Sequence, residues 1–256
     1  MSIPVKLPSG LAGTIRGLKV AEANTLANAM EQKRGTALDS VYSAVWLATS
    51  DLGPYGSVAE AVDEKSGKLA WSKALACDRF TLMLRVRAAT YGPEYAFKAR
   101  CVVPTCGERF EWELSLDDLP AKPLPPLSLE AFKNGNRLAA TLPSDGREFW
   151  FSLQTGDGEK KAEQLLKQNR ARQLTAALAS RIVEIHGVAG GDKLKFIDNL
   201  DMGDAHEVLR ILDDADGGVE SNIEVQCPAC GDIQEMALPF GKEFWVPLPK
   251  RKTTTG

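Results

Sequence analysis

Two pairs of cysteines are the residues of this chain best suited to bind a metal. Four residues separate Cys101 from Cys106, two separate Cys227 from Cys230, and 120 residues lie between the pairs. Thiolates at either spacing on a tight turn can supply two of the four ligands that zinc takes in a tetrahedral site. A glycine follows each pair, and its access to positive φ lets the backbone turn toward the sulfurs. The spacing predicts one structural zinc ion bound by all four thiolates.

The same cysteines could instead be small buried residues or form disulfides. Disulfides are disfavoured because residues 1–6 lack the apolar segment of a signal peptide. A chain of 256 residues can also bury a core without covalent cross-links. A reducing compartment therefore fits the cysteines better.

The remaining cysteine and the two histidines are not expected to be catalytic. Cys77 shares a helical face with Phe80 and Leu84, which is typical of a core residue. His186 and His206 lie on separate predicted helices, and surface positions are expected for both. Four thiolates already complete the shell of a zinc ion and leave no position for water or substrate, which disfavours a zinc hydrolase.

Motifs of several enzyme classes are absent from the sequence. It contains no G-x-x-x-x-G-K-[ST], no G-x-S-x-G and no H-E-x-x-H. The acidic run at residues 213–218 resembles part of a calcium loop but lacks the closing glutamate, so a solvated helix end is the better interpretation. We expect no catalytic residues and no small-molecule substrate.

Composition and charge restrict the choice of partners. The chain has 31 basic and 34 acidic residues, a net charge of -3, and no stretch approaching the roughly 20 apolar residues of a membrane span. No broad attraction to nucleic-acid phosphates follows from this balance. The only dense basic cluster, residues 250–252, belongs to a polar end at 248–256, which we predict to be a flexible basic tail.

The segments around the cysteines alternate apolar and polar residues with a period of two. This pattern flanks the first pair at residues 95–101 and 110–116, and it returns on both sides of the second pair. Each pair is therefore predicted to form the turn of a β-hairpin. Two hairpins joined by one metal make a zinc ribbon, expected at residues 93–118 with 219–247. Each hairpin alone is marginal in water, so the metal is expected to contribute several kcal/mol.

The rest of the chain predicts helices and a third hairpin, giving an α+β fold. Residues 1–92 read as a short extended segment followed by helices at 20–34, 37–50, 58–63 and 72–89. Four prolines make residues 119–127 a connector that should not be helical. The connector opens an inserted αβ module at 119–218, with a hairpin near 137–154 and helices at 158–186, 193–200 and 203–213.

Aromatic residues around the predicted ribbon leave a second function open. They could stack on bases while residues 250–252 contact phosphates, as in a zinc-ribbon nucleic-acid-binding or transcription-associated module. Burial in thin β modules is the commoner use of such residues, and the negative charge favours it. The residues concerned are Phe110, Trp112, Phe149, Trp150, Phe151, Phe244 and Trp245.

The order of several short motifs resembles a known family. The opening Val-Lys-Leu-Pro-Ser-Gly at residues 5–10, followed by residues 14–22 and a helix to residue 34, is similar to the start of the T-even-type baseplate proteins of contractile-tailed bacteriophages. Phe110 and Trp112 after the first cysteine pair, the segments 182–187 and 196–200, and Cys-Pro-Ala-Cys-Gly extend the resemblance over most of the chain.

The resemblance implies a non-enzymatic protein that helps to build the baseplate hub, either as an assembly factor or as a retained subunit. Its partners would be other phage tail or baseplate hub proteins. The composition separately predicts no membrane partner and disfavours nucleic acid. It would be found in the host cytoplasm during assembly or in the virion tail baseplate. The residues alone indicate a zinc-stabilised, mildly acidic interaction protein.

Overall fold

The computed structural model describes residues 2–32, 36–63, 66–168 and 172–247, and these form the predicted α+β fold. The chain begins with β1 (Ile3–Lys6) and β2 (Ala12–Ile15), followed by helices α1 (Val20–Gln32) and α2 (Thr36–Val45) and strand β3 (Trp46–Asp51). The three strands form one antiparallel sheet in sequence order.

The prediction of a helix at residues 37–50 is wrong in its last turn. Strand β3 occupies that part of the chain because it pairs with β2, placing Trp46 opposite Ile15. The close approach depends on Gly13, where an added Cβ would lie 2.5 Å from the Trp46 ring and 2.3 Å from the Ala48 carbonyl oxygen. A pairing across more than 30 residues overrides the local helical spacing.

The next segment differs from the prediction at residues 58–63, which form turns instead of a helix and end in a bridge between Val62 and Leu69. The helix predicted at 72–89 is present as α3 (Ala76–Tyr91), beginning four residues later than expected. It begins late because Leu75 is extended and bridges Thr155.

The first cysteine hairpin is confirmed as β4 (Glu94–Arg100) and β5 (Arg109–Ser115), an antiparallel pair in continuous register. The proline-rich connector is more structured than predicted, since it contains β6 (Ala121–Lys122) and the start of α4 (Pro126–Lys133). Proline is tolerated at a first helical position because its missing N–H has no intrahelical partner there.

A second three-stranded sheet follows, built from β7 (Leu138–Thr141), β8 (Glu148–Phe151) and a later strand, β9 (Ile182–Ile185). The single helix predicted at 158–186 is wrong, because the chain forms α5 (Gly156–Gln168) and α6 (Gln173–Arg181) before entering β9. Pairing of β9 with β8 buries Ile182 and Ile185 beside Phe149 and Phe151, which local helical periodicity cannot foresee.

The last elements match the prediction. Helices α7 (Lys193–Asp198) and α8 (Met202–Ala215) lead to β10 (Gly218–Val219), which pairs with β6 and so brings the two ends of the inserted segment together. The second cysteine hairpin is confirmed as β11 (Asn222–Gln226) and β12 (Ile233–Ala237).

A short helix, α9 (Lys242–Trp245), follows and buries Phe244 and Trp245 completely. The tail predicted at residues 248–256 lies outside the described residues. None of the helices in the described part of the chain has both the length and the apolar character needed to cross a bilayer.

Two hydrophobic clusters account for the core of the described residues. The larger one joins the N-terminal sheet, α3, both cysteine hairpins and α9. The smaller one lies within the inserted segment, between the sheet of β7, β8 and β9 and helices α6, α7 and α8. Between them, Arg181 binds both carboxylate oxygens of Asp216, at 2.5 and 2.9 Å, and donates to the Ser152 carbonyl oxygen.

Candidate metal centre

The turn between β4 and β5 holds the first cysteine pair. Cys101 continues the hairpin ladder by donating its backbone N–H to the Glu108 carbonyl oxygen at 2.8 Å. The chain then folds back, so that the backbone N–H groups of Cys106 and Gly107 both donate to the Val103 carbonyl oxygen at 3.0 Å. Gly107 has a φ of 60°, as its position in the motif predicts.

The turn between β11 and β12 repeats this arrangement with a shorter loop. The Cys227 N–H donates to the Asp232 carbonyl oxygen at 2.8 Å, and the Gly231 N–H donates to the Cys227 carbonyl oxygen at 2.9 Å. Gly231 has a φ of 76°, again in the left-handed region. Both turns therefore present their two sulfurs to the same side of a hairpin end.

The four sulfurs meet at one point between the two hairpin ends. The Sγ atoms of Cys101 and Cys230 are 3.7 Å apart, those of Cys106 and Cys227 are 3.8 Å apart, and all four lie within 4.8 Å of one another. A tetrahedron of sulfurs around zinc at about 2.3 Å has edges of about 3.8 Å. The cluster thus has nearly the dimensions of a four-thiolate metal site.

The backbone around Cys227, in the second turn, favours the thiolate form of its side chain. The backbone N–H groups of Cys230 and Ala229 face the Cys227 sulfur and lower the pKa of its thiol to about 7. At Cys101 the Val103 N–H also lowers the pKa, but desolvation and the hydrogen bonds with the other sulfurs outweigh it and raise the pKa to about 12. Four neighbouring sulfurs cannot all ionise unless a cation balances their charge.

The site is partly shielded from solvent. Cys101 and Cys227 are buried, Cys106 is half-buried and Cys230 is exposed. Both histidines are exposed and lie outside the cluster, and no other group of metal-ligating side chains occurs among the described residues. Cys77 packs against the larger core cluster, and burial raises the pKa of its thiol well above the ordinary value.

Gln234 joins the two hairpins beside the cysteines, and sequence reasoning missed it. Its side-chain oxygen accepts the Val102 N–H and its Nε2 donates to the Arg100 carbonyl oxygen, both at 2.9 Å. Gln234 is buried, whereas its neighbour Ile233 is 62% exposed. A polar residue at the inward position of β12 is the signal that could have revealed this contact.

The serine of the Leu-Pro-Ser-Gly opening binds a buried carboxylate that the sequence analysis did not identify. Asp78 of α3 accepts the Ser9 backbone N–H at 3.0 Å, the Ser9 hydroxyl at 2.5 Å and the Tyr55 hydroxyl at 2.7 Å. These bonds attach the loop between β1 and β2 to α3. An aspartate within an apolar helical stripe was the signal for it.

The aromatic residues around the ribbon are largely inaccessible for base stacking. Five are buried, namely Phe110, Phe149, Phe151, Phe244 and Trp245, while Trp112 and Trp150 are half-buried. The acidic run that begins in the last turn of α8 binds cations of the chain itself, since Lys122 donates to the Asp213 and Asp214 carbonyl oxygens and Arg210 pairs with Asp214.

Fold and site together define an α+β protein whose four clustered cysteines lie close enough to hold a metal ion. The family described as T4 bacteriophage base plate protein matches residues 3–244, nearly the whole chain. The chain belongs to this family, as its opening motif and later segments predicted. Comparison with curated proteins and with solved structures gave no significant match.

Proposed function

We propose that this protein is a non-enzymatic structural or assembly component of a bacteriophage tail baseplate hub, stabilised by one zinc ion. The family match over residues 3–244 carries the baseplate assignment. Its partners are then other tail or baseplate proteins, which it meets in the host cytoplasm during assembly or in the virion tail. The inserted segment, 119–218, is a module held by the ribbon, and the smaller hydrophobic cluster supports that division for most of it. Leu124, Phe132 and Leu153 of the segment pack in the larger cluster and attach the module to the rest of the chain.

The choice of zinc follows from the donor set. Four thiolates form a soft, four-coordinate shell, which suits zinc better than the oxygen-seeking calcium or magnesium ions. Cys101, Cys106, Cys227 and Cys230 occupy all four positions, so the ion is structural and leaves no place for a reacting water. The role of the ion is to fix the angle between two hairpins that are each too small to be stable alone.

Metal replacement tests this coordination. Protein purified in zinc is expected to contain one ion per chain, and exchange with cobalt is expected to give the intense thiolate-to-cobalt absorption of a tetrahedral site with four sulfurs. The Cys77→Ala variant serves as the control and should give the same spectrum, because Cys77 lies outside the cluster. A cobalt spectrum typical of fewer than four sulfur ligands or of an open position would contradict the proposal.

Deletion of the gene from its phage tests the baseplate role. Lysates of the deletion phage are expected to contain heads and unattached tail parts without finished baseplates in negative-stain electron micrographs, with infectivity restored by wild-type protein supplied in trans. Mass spectrometry of purified virions then separates a retained subunit from an assembly factor. Normal tails and normal plaque counts in the deletion phage would refute the proposed function.

The nucleic-acid alternative finds little support. The outward positions of the second cysteine hairpin include Glu224 and Glu235 and no basic residue. Acidic and basic residues are equal in number at the exposed positions of β4 and β5, so the first hairpin offers no basic surface either. Carboxylates repel phosphates because both groups are negatively charged, and burial removes most of the aromatic rings from reach.

A further inference from the structure

Cys230 is the part of the sulfur cluster that solvent reaches most easily. It is exposed, as are its neighbours at 228–229 and 231–233, whereas Cys101 and Cys227 are buried and Cys106 is half-buried. Metal binding also requires each cysteine to be a thiolate, which is the reactive form of the side chain. Oxidation of thiolates follows their exposure, so a small oxidant in solution meets the Cys230 sulfur before the others.

Each accessible sulfur of the cluster lies beside a buried sulfur of the other hairpin. The Cys230 Sγ is 3.7 Å from the Cys101 Sγ, and the Cys106 Sγ is 3.8 Å from the Cys227 Sγ. Because the sulfurs of a disulfide are about 2.05 Å apart, the Cys230 and Cys101 sulfurs need to approach by only about 1.7 Å to form one. An oxidised Cys230 therefore has a second thiolate within reach, on the opposite hairpin.

Contacts that do not involve a metal also hold these two sulfurs close together. Gln234 of β12 accepts the Val102 N–H and donates to the Arg100 carbonyl oxygen, so it bonds to both chain neighbours of Cys101. The buried apolar side chains of both cysteine hairpins belong to one hydrophobic cluster. These contacts oppose separation of the two hairpins while the sulfurs react.

We propose that Cys230 is a site of oxidation by peroxides and that Cys101 resolves it as a disulfide between the two hairpins. The Cys230 thiolate attacks one oxygen of hydrogen peroxide, the O–O bond breaks, and a sulfenic acid and a hydroxide ion form. The Cys101 thiolate then attacks the Cys230 sulfur, which forms the S–S bond and displaces a second hydroxide. Two protons from the solvent convert both hydroxides to water, so each sulfur loses one electron and the peroxide gains two.

The disulfide joins residues that lie 129 positions apart in the sequence, and it holds the two hairpin ends together covalently. A second peroxide can oxidise Cys106 and Cys227 in the same way, because their sulfurs are also in contact. Sulfurs in a disulfide are no longer thiolate ligands, so a bound metal ion leaves as the bond forms. The cross-link depends only on the positions of the sulfurs, whereas the released ion rests on the proposed zinc site.

Peroxide treatment of the zinc-loaded, full-length protein tests the order of these events. Samples are taken over time, blocked with an alkylating reagent and digested without reduction, and tandem mass spectrometry assigns each disulfide. The bond between Cys101 and Cys230 is expected to appear first, and zinc release, measured with a chromogenic chelator, is expected to keep pace with it. A first bond within one turn, a first bond that involves Cys77, or irreversible oxidation of Cys230 without a disulfide would overturn the proposal.

Removal of the resolving thiol tests the sulfenic acid intermediate. In the Cys101→Ser variant the oxidised form of Cys230 is expected to accumulate, so that its labelling by dimedone rises at least about threefold above that of the wild type. The Cys77→Ala variant is the control and should be labelled like the wild type, because Cys77 lies outside the cluster. Equal labelling of Cys230 in Cys101→Ser and in the wild type would contradict the resolving role of Cys101.

Gln234→Met tests the geometry in a chain that keeps all four cysteines. It removes both hydrogen bonds beside Cys101 and is expected to slow formation of the disulfide by at least about threefold at unchanged zinc content. Gln226→Met is the control, because the Gln226 amide donates to the Gly231 carbonyl oxygen within its own hairpin. Equal rates in the two folded variants would contradict the geometric argument.

The failure of this proposal and the failure of the zinc site give different results. A protein that binds no metal but still forms the bond between Cys101 and Cys230 would refute the zinc site alone. A zinc-loaded protein that first forms a bond within one turn would refute the oxidation site alone. Neither result depends on the baseplate role.

Discussion

Replacing Cys227 with serine is expected to abolish metal binding and to lower the free energy of unfolding by more than about 4 kcal/mol, the range reserved for lost metals and similar large defects. Cys227 is fully buried, and its sulfur is 3.8 Å from that of Cys106 on the opposite hairpin. A serine hydroxyl does not replace a thiolate as a zinc ligand. Metal content per chain should fall to near zero, with a melting temperature lower by on the order of 10 °C.

The matched control is Cys77→Ala, which removes a thiol that lies outside the cluster. It should keep its metal and lose about 1 kcal/mol of stability, the cost of removing one sulfur that packs against the larger core cluster and lies 3.9 Å from Asp78. A strong chelator applied to the wild-type protein should reproduce the Cys227→Ser phenotype and should accelerate amide exchange most in the peptides spanning the two hairpins. A Cys227→Ser protein that binds as much metal as the wild type and has the same melting temperature would contradict the proposed stabilising role of the metal.

The cysteine hairpins were predictable because the information that specifies them is local. Alternation with a period of two, a metal-ligand spacing and a glycine after Cys106 and Cys230 all act within about ten residues. The meeting of the two hairpins followed from chemistry, since either pair alone supplies only half of a tetrahedral shell. The inference needs only the number of ligands that a zinc ion takes, and it does not require the fold of the 120 residues between the pairs to be known.

The strands at residues 46–51 and 182–185 were not predictable for the opposite reason. Each continues directly from a helix, so the helical spacing runs into it without a glycine or proline to mark the boundary. Their conformation is set by partners far away in the sequence, β2 for the first and β8 for the second. Gln234 and Asp78 were missed similarly, because a polar residue at a buried position gains meaning only from the groups it bonds.

The second large effect is expected at Asp78, where substitution by asparagine should lower the free energy of unfolding by more than about 2 kcal/mol. The Oδ2 atom accepts from the hydroxyls of both Ser9 and Tyr55. These hydroxyls also accept the Leu11 and Leu75 N–H groups, at 3.3 and 2.9 Å. An amide NH₂ at this position would oppose two donors that have little freedom to turn. Urea unfolding at neutral pH measures the loss.

Asp204→Asn provides a closely matched comparison. Asp204 accepts the Ser144 N–H at 3.1 Å and the Ser144 hydroxyl at 2.5 Å, the same pair of bonds that Ser9 makes to Asp78. Ser144 is exposed, so its hydroxyl can turn toward water and the cost should stay below about 1 kcal/mol. Asp204 is itself buried, so equal losses in the two variants would show that the Tyr55 hydroxyl and the burial of Ser9 do not add to the cost at Asp78.

The pH dependence of the Asp78 variant supplies an independent test. Burial raises the pKa of Asp78 above its ordinary value of 3.8, even though hydrogen bonds from Ser9 and Tyr55 act to lower it. The folded state therefore holds this proton at pH values where the unfolded chain has lost it, so this carboxyl makes the folded state less stable as pH rises through that window. Asp78→Asn lacks this dependence. The loss in free energy of unfolding caused by Asp78→Asn should therefore be larger below the pKa of Asp78 in the unfolded chain than at neutral pH. A loss that grows toward neutral pH would contradict the argument that burial raises the pKa.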